Sequence, residues 1–296
     1  MPFAPSLTSD PPGTDDVLTH RLEALRQQLA GLESVVVAFS GGADSSLLLA
    51  AALRALGPGR VLAATGDSAS LSGRERAAGR DVARELGARH LFVDTHELAA
   101  AGYAENSPSR CWFCKDELVK RLLKVADAEG LAHVATGTNA DDLTDRFRPG
   151  IRAAALHGVV TPLADAGLTK DQVRAASRDW ALPTWDKPAS PCLSSRIAYG
   201  LTITRERLAR VEAAEDTLRD GLIRAGITSY NQRVRDLGDR ALIQVESSAV
   251  AEVTALTEVL AAVRRAGFES VEVDPRGFRS GSLNEAAAGG AAERSG

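Results

Sequence analysis

The segment that most constrains the fold is a β-branched run that leads directly into a glycine turn. Residues 35–39 read VVVAF, a continuous apolar run of the kind that a buried parallel strand requires. Gly41 and Gly42 follow, and the next residues, DSSLLLAAALRALG, are typical of a helix. A strand that turns sharply into a helix is the first half of a βαβ unit.

The same alternation continues through the first half of the chain. Further strands are predicted at 60–65, 89–94 and 132–137, and helices at 72–86 and 115–129 lie between them. Strands that alternate with helices of this length predict an α/β fold, a doubly wound parallel sheet.

The pattern changes near residue 190, after a linker rich in proline and serine. A long helix at 204–225 precedes two strand candidates, NQRVRDL and ALIQVES, and a helix at 248–266 precedes the strand SVEVD at 270–274. That order predicts a smaller α+β domain with an antiparallel or mixed sheet. The predicted organisation is a disordered tail, a sheet domain, the α+β domain and a second disordered tail, at 1–15, 16–188, 189–283 and 284–296.

Composition excludes several classes of protein. The net charge is −4, the aromatic residues are 3 Trp, 3 Tyr and 7 Phe, and no Lys/Arg run stands out, so we expect no nucleic-acid partner. No stretch approaches the roughly 18 apolar residues that cross a membrane, and the N-terminus does not resemble a secretory signal. Three cysteines do not make a disulfide framework. We expect a cytoplasmic protein with reduced thiols.

The turn SGGADSS is a candidate phosphate-binding loop. Its glycines let the backbone approach a ligand, and the helix that follows presents free N–H groups and a positive dipole end to an anion. It is not a Walker loop, because no Gly-Lys-Ser/Thr follows. A tight capped turn would explain the glycines alone, but not the strand that runs straight into this pattern. The candidate ligand-binding residues are Ser40, Gly41, Gly42, Asp44, Ser45 and Ser46.

Two other predicted strands end in polar residues. ATGDS follows the second strand and TGTNADD follows the fourth, and such strand ends meet at the sheet edge where ligands bind. Paired aspartates beside a triphosphate are natural Mg²⁺ ligands, although an acidic first helical turn would also explain them. The candidates are Asp67, Gly137 and Thr138 for the nucleotide, and Asp141 and Asp142 for Mg²⁺.

The three cysteines lie in two unusual segments. Cys111 and Cys114, in CWFC, could form a disulfide, a metal clip, a redox pair or part of a reacting centre. Reduced thiols weaken the disulfide, and zinc would want a fourth Cys or His, which no histidine spacing supplies. Cys192 lies in WDKPASPCLSSR, where Arg196 would favour a reactive thiolate; a partly buried linker cysteine is the alternative.

One carboxylate falls on an apolar helix stripe. Glu215 shares the stripe of Val211 and Leu218, where a carboxylate needs a partner unless it reaches solvent at the edge. In QRVRDL, Arg233 and Arg235 share one face of a strand.

SGGADSS resembles the pyrophosphate loop of the N-type ATP pyrophosphatases. Those enzymes cut ATP between its α and β phosphates, attach AMP to a substrate oxygen and release pyrophosphate. Three further segments narrow the resemblance to the LarE-type sulfur transferases: RPG at 148–150, WDKPASPCLSSR, and FRSGSLNE at 278–285. The resemblance covers residues 20 to 285.

That resemblance implies an activity on a small-molecule nucleotide. The enzymes adenylate a carboxylate of pyridinium-3,5-biscarboxylic acid mononucleotide and replace the activated oxygen with sulfur, in the biosynthesis of the nickel-pincer nucleotide. It implies ATP-binding roles for the loop and strand-end residues, substrate anion binding by Arg196, Arg233 and Arg235, and a catalytic role for Glu215 in orienting them. It also implies a homo-oligomer.

The cysteines distinguish two branches of that family. In one branch the cysteine matching Cys192 is sacrificed as the sulfur source. This chain adds Cys111 and Cys114 and resembles the other branch, in which three cysteines hold a [4Fe–4S] cluster that carries sulfide from a donor. The alternatives are a tRNA thiolase, which would be expected to show a basic face, and an amide-forming synthetase whose cysteines hold a structural metal.

Overall fold

The computed structural model describes residues 14–144 and 149–279. The predicted tails lie almost entirely outside these ranges, as do Arg148 of RPG and the part of FRSGSLNE from Ser280 onward. No helix within the described ranges is long and apolar enough to cross a bilayer.

The first half of the chain forms a four-stranded parallel sheet. Its strands are β1 (Val35–Ala38), β2 (Val61–Asp67), β3 (Arg89–Asp94) and β4 (His133–Thr136), in the order β3-β2-β1-β4. Strand β2, the next along the chain, pairs with one edge of β1, whereas β4 pairs with the opposite edge. The carboxyl ends of β1 and β4 therefore flank the switch point, where ligands bind in open α/β sheets.

Helices cover both faces of this sheet, which confirms the doubly wound α/β fold. The helices of the first half are α1 (Thr14–Ala30), α2 (Ala43–Leu56), α3 (Gly73–Glu85), α4 (Ala101–Ala104), α5 (Arg110–Glu129), α6 (Ala140–Thr144), α7 (Pro149–Leu156), α8 (Pro162–Asp165) and α9 (Lys170–Asp179). Helices α1, α2 and α9 pack on the face that carries Val35 and Val37, and α5 and α7 pack on the face that carries Val36. Burial on both faces explains why β1 is apolar throughout.

The second half forms a three-stranded mixed sheet with its own core. Its elements are α10 (Arg205–Arg224), β5 (Arg233–Asp236), β6 (Arg240–Gln244), α11 (Val250–Ala255), α12 (Thr257–Arg264) and β7 (Ser270–Val273). Strand β6 pairs antiparallel with β5 and parallel with β7. The predicted helix at 248–266 is divided at Leu256, whose ψ of 65° leaves the helical region.

Helix α5 begins at Arg110, five residues before its predicted start, so Cys111 and Cys114 lie in its first turns. The reason is tertiary, because Arg110 donates hydrogen bonds to Asn106 Oδ1 at 2.5 Å and to the Ser194 carbonyl at 2.9 Å. The bond to Ser194 fixes the helix start against a segment 84 residues away.

Candidate active site

One cavity of about 920 Å³ opens at the carboxyl ends of β1 and β4 and extends to α10 and β5. That volume lies in the range of small-molecule sites. It brings together thirteen of the residues singled out in the sequence: Ser40, Gly42, Asp44, Ser45, Cys111, Cys114, Gly137, Thr138, Asp142, Cys192, Arg196, Glu215 and Arg233. Five others do not line it: Gly41, Ser46, Asp67, Asp141 and Arg235.

The loop between β1 and α2 presents backbone and hydroxyl groups to this cavity. Gly41 adopts a φ of 67°, and a Cβ there would lie 2.9 Å from the Cα of Gly79 in α3. Ser45 Oγ lies 3.2 Å from Ser40 Oγ and donates to the Gly42 carbonyl at 3.2 Å. Only glycine fits the turn, and the hydroxyls keep the N-terminus of α2 open towards an anion.

The loop after β4 packs directly on the start of α2. A Cβ at Gly137 would lie 2.9 Å from the backbone nitrogen of Ser45. Asp44 accepts a hydrogen bond from Asn139 Nδ2 at 3.0 Å and forms an ion pair with Lys170 Nζ at 2.5 Å. The two strand ends thus form one polar wall of the cavity.

Gly137→Ala is expected to lower ATP affinity at least about tenfold and to destabilise the fold by about 1–3 kcal/mol. The added methyl group would press against the backbone of Ser45, which cannot move aside as a flexible side chain could. Isothermal titration with ATP and thermal melting measure the two effects. Gly59→Ala is the matched control, since a Cβ there meets nothing within 4 Å. Equal ATP affinities for the two variants would contradict the role of this close approach.

The cysteine segments meet at the other end of the cavity. Ser194 follows Cys192 by two residues. Its Oγ lies 2.5 Å from the Tyr103 hydroxyl, and its carbonyl accepts a hydrogen bond from Arg110. Cys114 packs with Leu193 and Tyr103 in a small apolar cluster. Burial, followed by the nearby Cys192 thiol, raises the pKa of the Cys114 thiol above its ordinary value. Cys111 and Cys192 are exposed.

Glu215 is buried and paired, and does not reach solvent. Its Oε1 accepts from Arg196 Nε at 2.9 Å and from the Val234 amide at 3.1 Å, and its Oε2 accepts from Arg196 Nη2 at 3.2 Å. This one carboxylate therefore holds Arg196 and also the backbone between Arg233 and Arg235.

Arg233 and Arg235 are buried and add positive charge at this end of the site. Arg233 donates to the carbonyls of Gln232 and Ala189, and Arg235 donates to Gln244 Oε1 and the Ser195 carbonyl. Burial, followed by the charge of Arg196, lowers the pKa of each to about 10. We call Arg196, Arg233 and Arg235 the arginine cluster; guanidinium groups are well suited to binding an anion.

The comparison with known proteins decides the family. A protein of Lactiplantibacillus plantarum named pyridinium-3,5-bisthiocarboxylic acid mononucleotide synthase is 34% identical over 258 residues, which are 87% of this chain and 91% of that one. The chain belongs to the LarE-type sulfur transferase family. No family model matches it.

The chain is also similar to two further proteins. An uncharacterised protein of Synechocystis is 41% identical over 272 residues, 90% of this chain and 98% of that one. The argininosuccinate synthase of Pyrococcus furiosus is 29% identical over 169 residues, 52% of this chain and 40% of that one. The LarE-type chain is thus an ATP-dependent sulfur transferase with relatives among pyrophosphate-loop synthases.

The LarE-type site holds its acidic residues in different ways. Asp67 is paired with Arg76 Nη2 at 2.9 Å, and Asp141 accepts from the Lys170 amide at 2.8 Å at the start of α9. Asp142 faces the cavity and accepts from the Asn139 amide at 3.1 Å. The Mg²⁺ site at Asp141 and Asp142 stays a prediction, and only Asp142 is placed to reach a ligand in the cavity.

Sequence reasoning missed several charged residues in or beside the site, among them Glu97, Lys115 and Lys187. Glu97 lies in the cavity wall at 2% exposure; its Oε1 accepts from Ser70, and its Oε2 has no partner within the described ranges. Burial lowers the pKa of Lys115, which lines the cavity beside Cys114. Lys187 contacts the phosphate loop. The rarity of lysine is a signal that could have found Lys115 and Lys187, because only five of the 35 Lys and Arg residues are lysines.

Proposed function

We propose that this enzyme adenylates a carboxylate of pyridinium-3,5-biscarboxylic acid mononucleotide and converts it to a thiocarboxylate. One observation carries the proposal: a single cavity is lined by a phosphate loop, three thiols and two members of the arginine cluster, Arg196 and Arg233. The relative's printed name supports the substrate class. A tRNA thiolase would be expected to show a basic face, whereas the net charge of this chain is −4.

The first step uses the loop end of the cavity. A substrate carboxylate oxygen attacks the α-phosphorus of ATP, the bond to the β-phosphate oxygen breaks, and pyrophosphate leaves. The open N-terminus of α2 and the Ser40 and Ser45 hydroxyls are placed to hold the pyrophosphate. Asp142 is the carboxylate placed to bind Mg²⁺ there.

The second step uses the cysteine end. A sulfur nucleophile attacks the acyl carbon of the adenylate, a C–S bond forms, the C–O bond to AMP breaks, and AMP leaves with the electron pair. Cys192 is exposed, lines the cavity and accepts a hydrogen bond from Arg196 through its carbonyl. The arginine cluster would hold the substrate phosphate or second carboxylate, with Glu215 keeping Arg196 in place.

Arg233→Met and Arg235→Met are expected to weaken binding of the pyridinium nucleotide by about tenfold to a hundredfold each, since each removes a charge-assisted contact or its support. ATP affinity should change less than about threefold, because the loop lies at the other end of the cavity. Isothermal titration with each ligand measures both. Unchanged affinity for the pyridinium nucleotide in both variants would remove the arginine cluster from the substrate site.

The cysteine set fits a [4Fe–4S] cluster in number and kind. Cys111, Cys114 and Cys192 line one cavity and are the only cysteines of the chain. Within residues 14–144 and 149–279, no three His, Cys, Asp or Glu side chains converge as ligands of a single ion. When bound, such a cluster would offer an iron without a protein ligand, able to carry sulfide to the substrate.

Anaerobic purification followed by iron, sulfide and zinc analysis tests the cluster. We expect iron and acid-labile sulfide together with an absorption near about 400 nm, all lost in Cys114→Ser. Stoichiometric zinc without iron would contradict it. The identity of the sulfide donor and self-association remain predictions.

Release of pyrophosphate and AMP tests the adenylation step. Both are expected to form from ATP when the pyridinium dicarboxylate nucleotide is added, and not when bulk tRNA or ammonia is added. Stimulation by tRNA alone would favour a tRNA thiolase, and stimulation by ammonia would favour an amide-forming synthetase.

A further inference from the structure

Lys187 connects the cysteine segment to the phosphate loop. Its Nζ donates to the Gly41 carbonyl at 3.1 Å and to Glu75 Oε2 at 2.8 Å. Arg174 of α9 anchors the backbone there through the carbonyls of Trp185 and Lys187. The ammonium is thus fixed against the one loop residue whose left-handed backbone admits only glycine.

The other end of this segment is tied to the arginine cluster. We call residues 187–193 the cysteine strap. The Ala189 carbonyl accepts from Arg233 Nη2 at 2.9 Å, and the Pro191 and Cys192 carbonyls accept from Arg196 Nη1. The strap therefore runs from the phosphate loop, at Lys187, to the candidate substrate-anion site, where it carries Cys192.

Polar ties, more than packing, hold the strap in place. Residues 188–192 are all exposed, whereas Leu193 is buried and donates its amide to the Ser70 carbonyl at 2.9 Å. Pro188 and Pro191 restrict the backbone, so a shift at Lys187 is transmitted along a short, stiff path. A segment with few apolar contacts is displaced at low cost when one of its ties changes.

The ammonium of Lys187 has one carboxylate partner within the described ranges. That partner, Glu75, is 27% exposed in its side chain. A polyphosphate on the loop would bring further negative charge next to Lys187 and compete with Glu75 for it. Arginine is not equivalent here, because a compact ammonium can exchange one oxygen partner for another without a planar fork.

We propose that Lys187 is a positioning residue through which occupancy of the phosphate loop sets the placement of Cys192. The inference rests on the proposed function, because it takes the loop to bind the phosphates of ATP. This coupling would make sulfur transfer follow adenylation, since the placement of Cys192 would depend on whether phosphate is bound at the loop end of the cavity.

Inorganic pyrophosphate is the probe, because it can fill the loop without reaching Cys192. The full-length chain, with its thiols reduced and without a bound cluster, is alkylated with and without saturating pyrophosphate, and peptide mass spectrometry gives the rate at Cys192 relative to Cys111. Pyrophosphate should change this ratio at least about threefold in the wild type and less than about 1.5-fold in Lys187→Met, since removing the tie removes the differential interaction. Lys187→Met should lower kcat for sulfur transfer, with KM for ATP within about threefold.

Lys170→Met is the matched control, because Lys170 pairs with Asp44 on the other side of the same loop and is not part of the strap. It should keep the full response at saturating pyrophosphate. Glu75→Gln, a second variant, should make the ratio respond at lower pyrophosphate concentrations, since it frees the ammonium. A full response in Lys187→Met would overturn the proposal, as would loss of pyrophosphate binding in that variant by calorimetry. Absence of pyrophosphate binding in the wild type would instead remove the proposed function of the loop.

Discussion

Cys192→Ala is expected to lose thiocarboxylate formation at least about 10³-fold while still forming AMP and pyrophosphate, because the chemistry divides between the two ends of one cavity. The phosphate loop lies at the carboxyl end of β1, where Ser40 and Ser45 hydrogen-bond to each other and Ser45 also donates to the Gly42 carbonyl. Quenched reactions analysed for the thiocarboxylate and for AMP measure the two steps separately.

The other cysteines distinguish the two ways of supplying sulfur. If three thiolates act as one unit, Cys111→Ala and Cys114→Ala should each lose sulfur transfer about as severely as Cys192→Ala, because residues of a unit are not additive. Ser195→Ala is the control within the same turn; its hydroxyl donates to the Cys192 carbonyl at 2.7 Å, and its loss should cost less than about tenfold. Sulfur transfer by Cys111→Ala at the wild-type rate would favour a sacrificial Cys192.

Glu215→Ala is expected to destabilise the protein by about 3–5 kcal/mol, the usual cost of removing one partner of a buried ion pair. The side chains of Glu215 and Arg196 are 9% and 4% exposed, and without the carboxylate the arginine cluster would carry three mutually repelling charges. The Val234 amide would also lose its acceptor. Chemical denaturation measures the change in the free energy of unfolding.

Asp220→Ala on the same helix is the matched control. Asp220 pairs with Arg74 at 3.1 Å in an exposed ion pair, with side chains 53% and 48% exposed, and its loss should cost less than about 1 kcal/mol. Inorganic phosphate should restore part of the lost stability in Glu215→Ala and not in Asp220→Ala, since an anion that binds the uncompensated arginines of the folded state stabilises it. Equal stabilities for Glu215→Ala and Asp220→Ala would contradict a buried charge centre.

Local patterns were sufficient to predict much of this molecule. The apolar run of β1 and the glycines after it specify a buried strand and a sharp turn, which depend only on near neighbours. The apolar stripe of α10 correctly indicated a carboxylate in need of a partner. The mixed second sheet followed from the order of its helices and strands.

Contacts between distant segments were not predictable in the same way. The ties of Lys187 to Gly41 and of Arg110 to Ser194 join residues 146 and 84 positions apart, and no local pattern encodes them. Asp67 shows the converse case, because a strand-end carboxylate proved to be paired with Arg76 in α3. Which polar group faces a cavity depends on how the helices pack on the sheet.

Mass spectrometry of the reaction product tests the central claim most directly. The enzyme is incubated anaerobically with ATP, Mg²⁺, sulfide and pyridinium-3,5-biscarboxylic acid mononucleotide. We expect ATP-dependent exchange of carboxylate oxygen for sulfur in the nucleotide, absent from Cys192→Ala. Formation of AMP and pyrophosphate by the wild type, with the nucleotide recovered free of sulfur or converted to an amide, would contradict the assignment of this cavity to sulfur transfer.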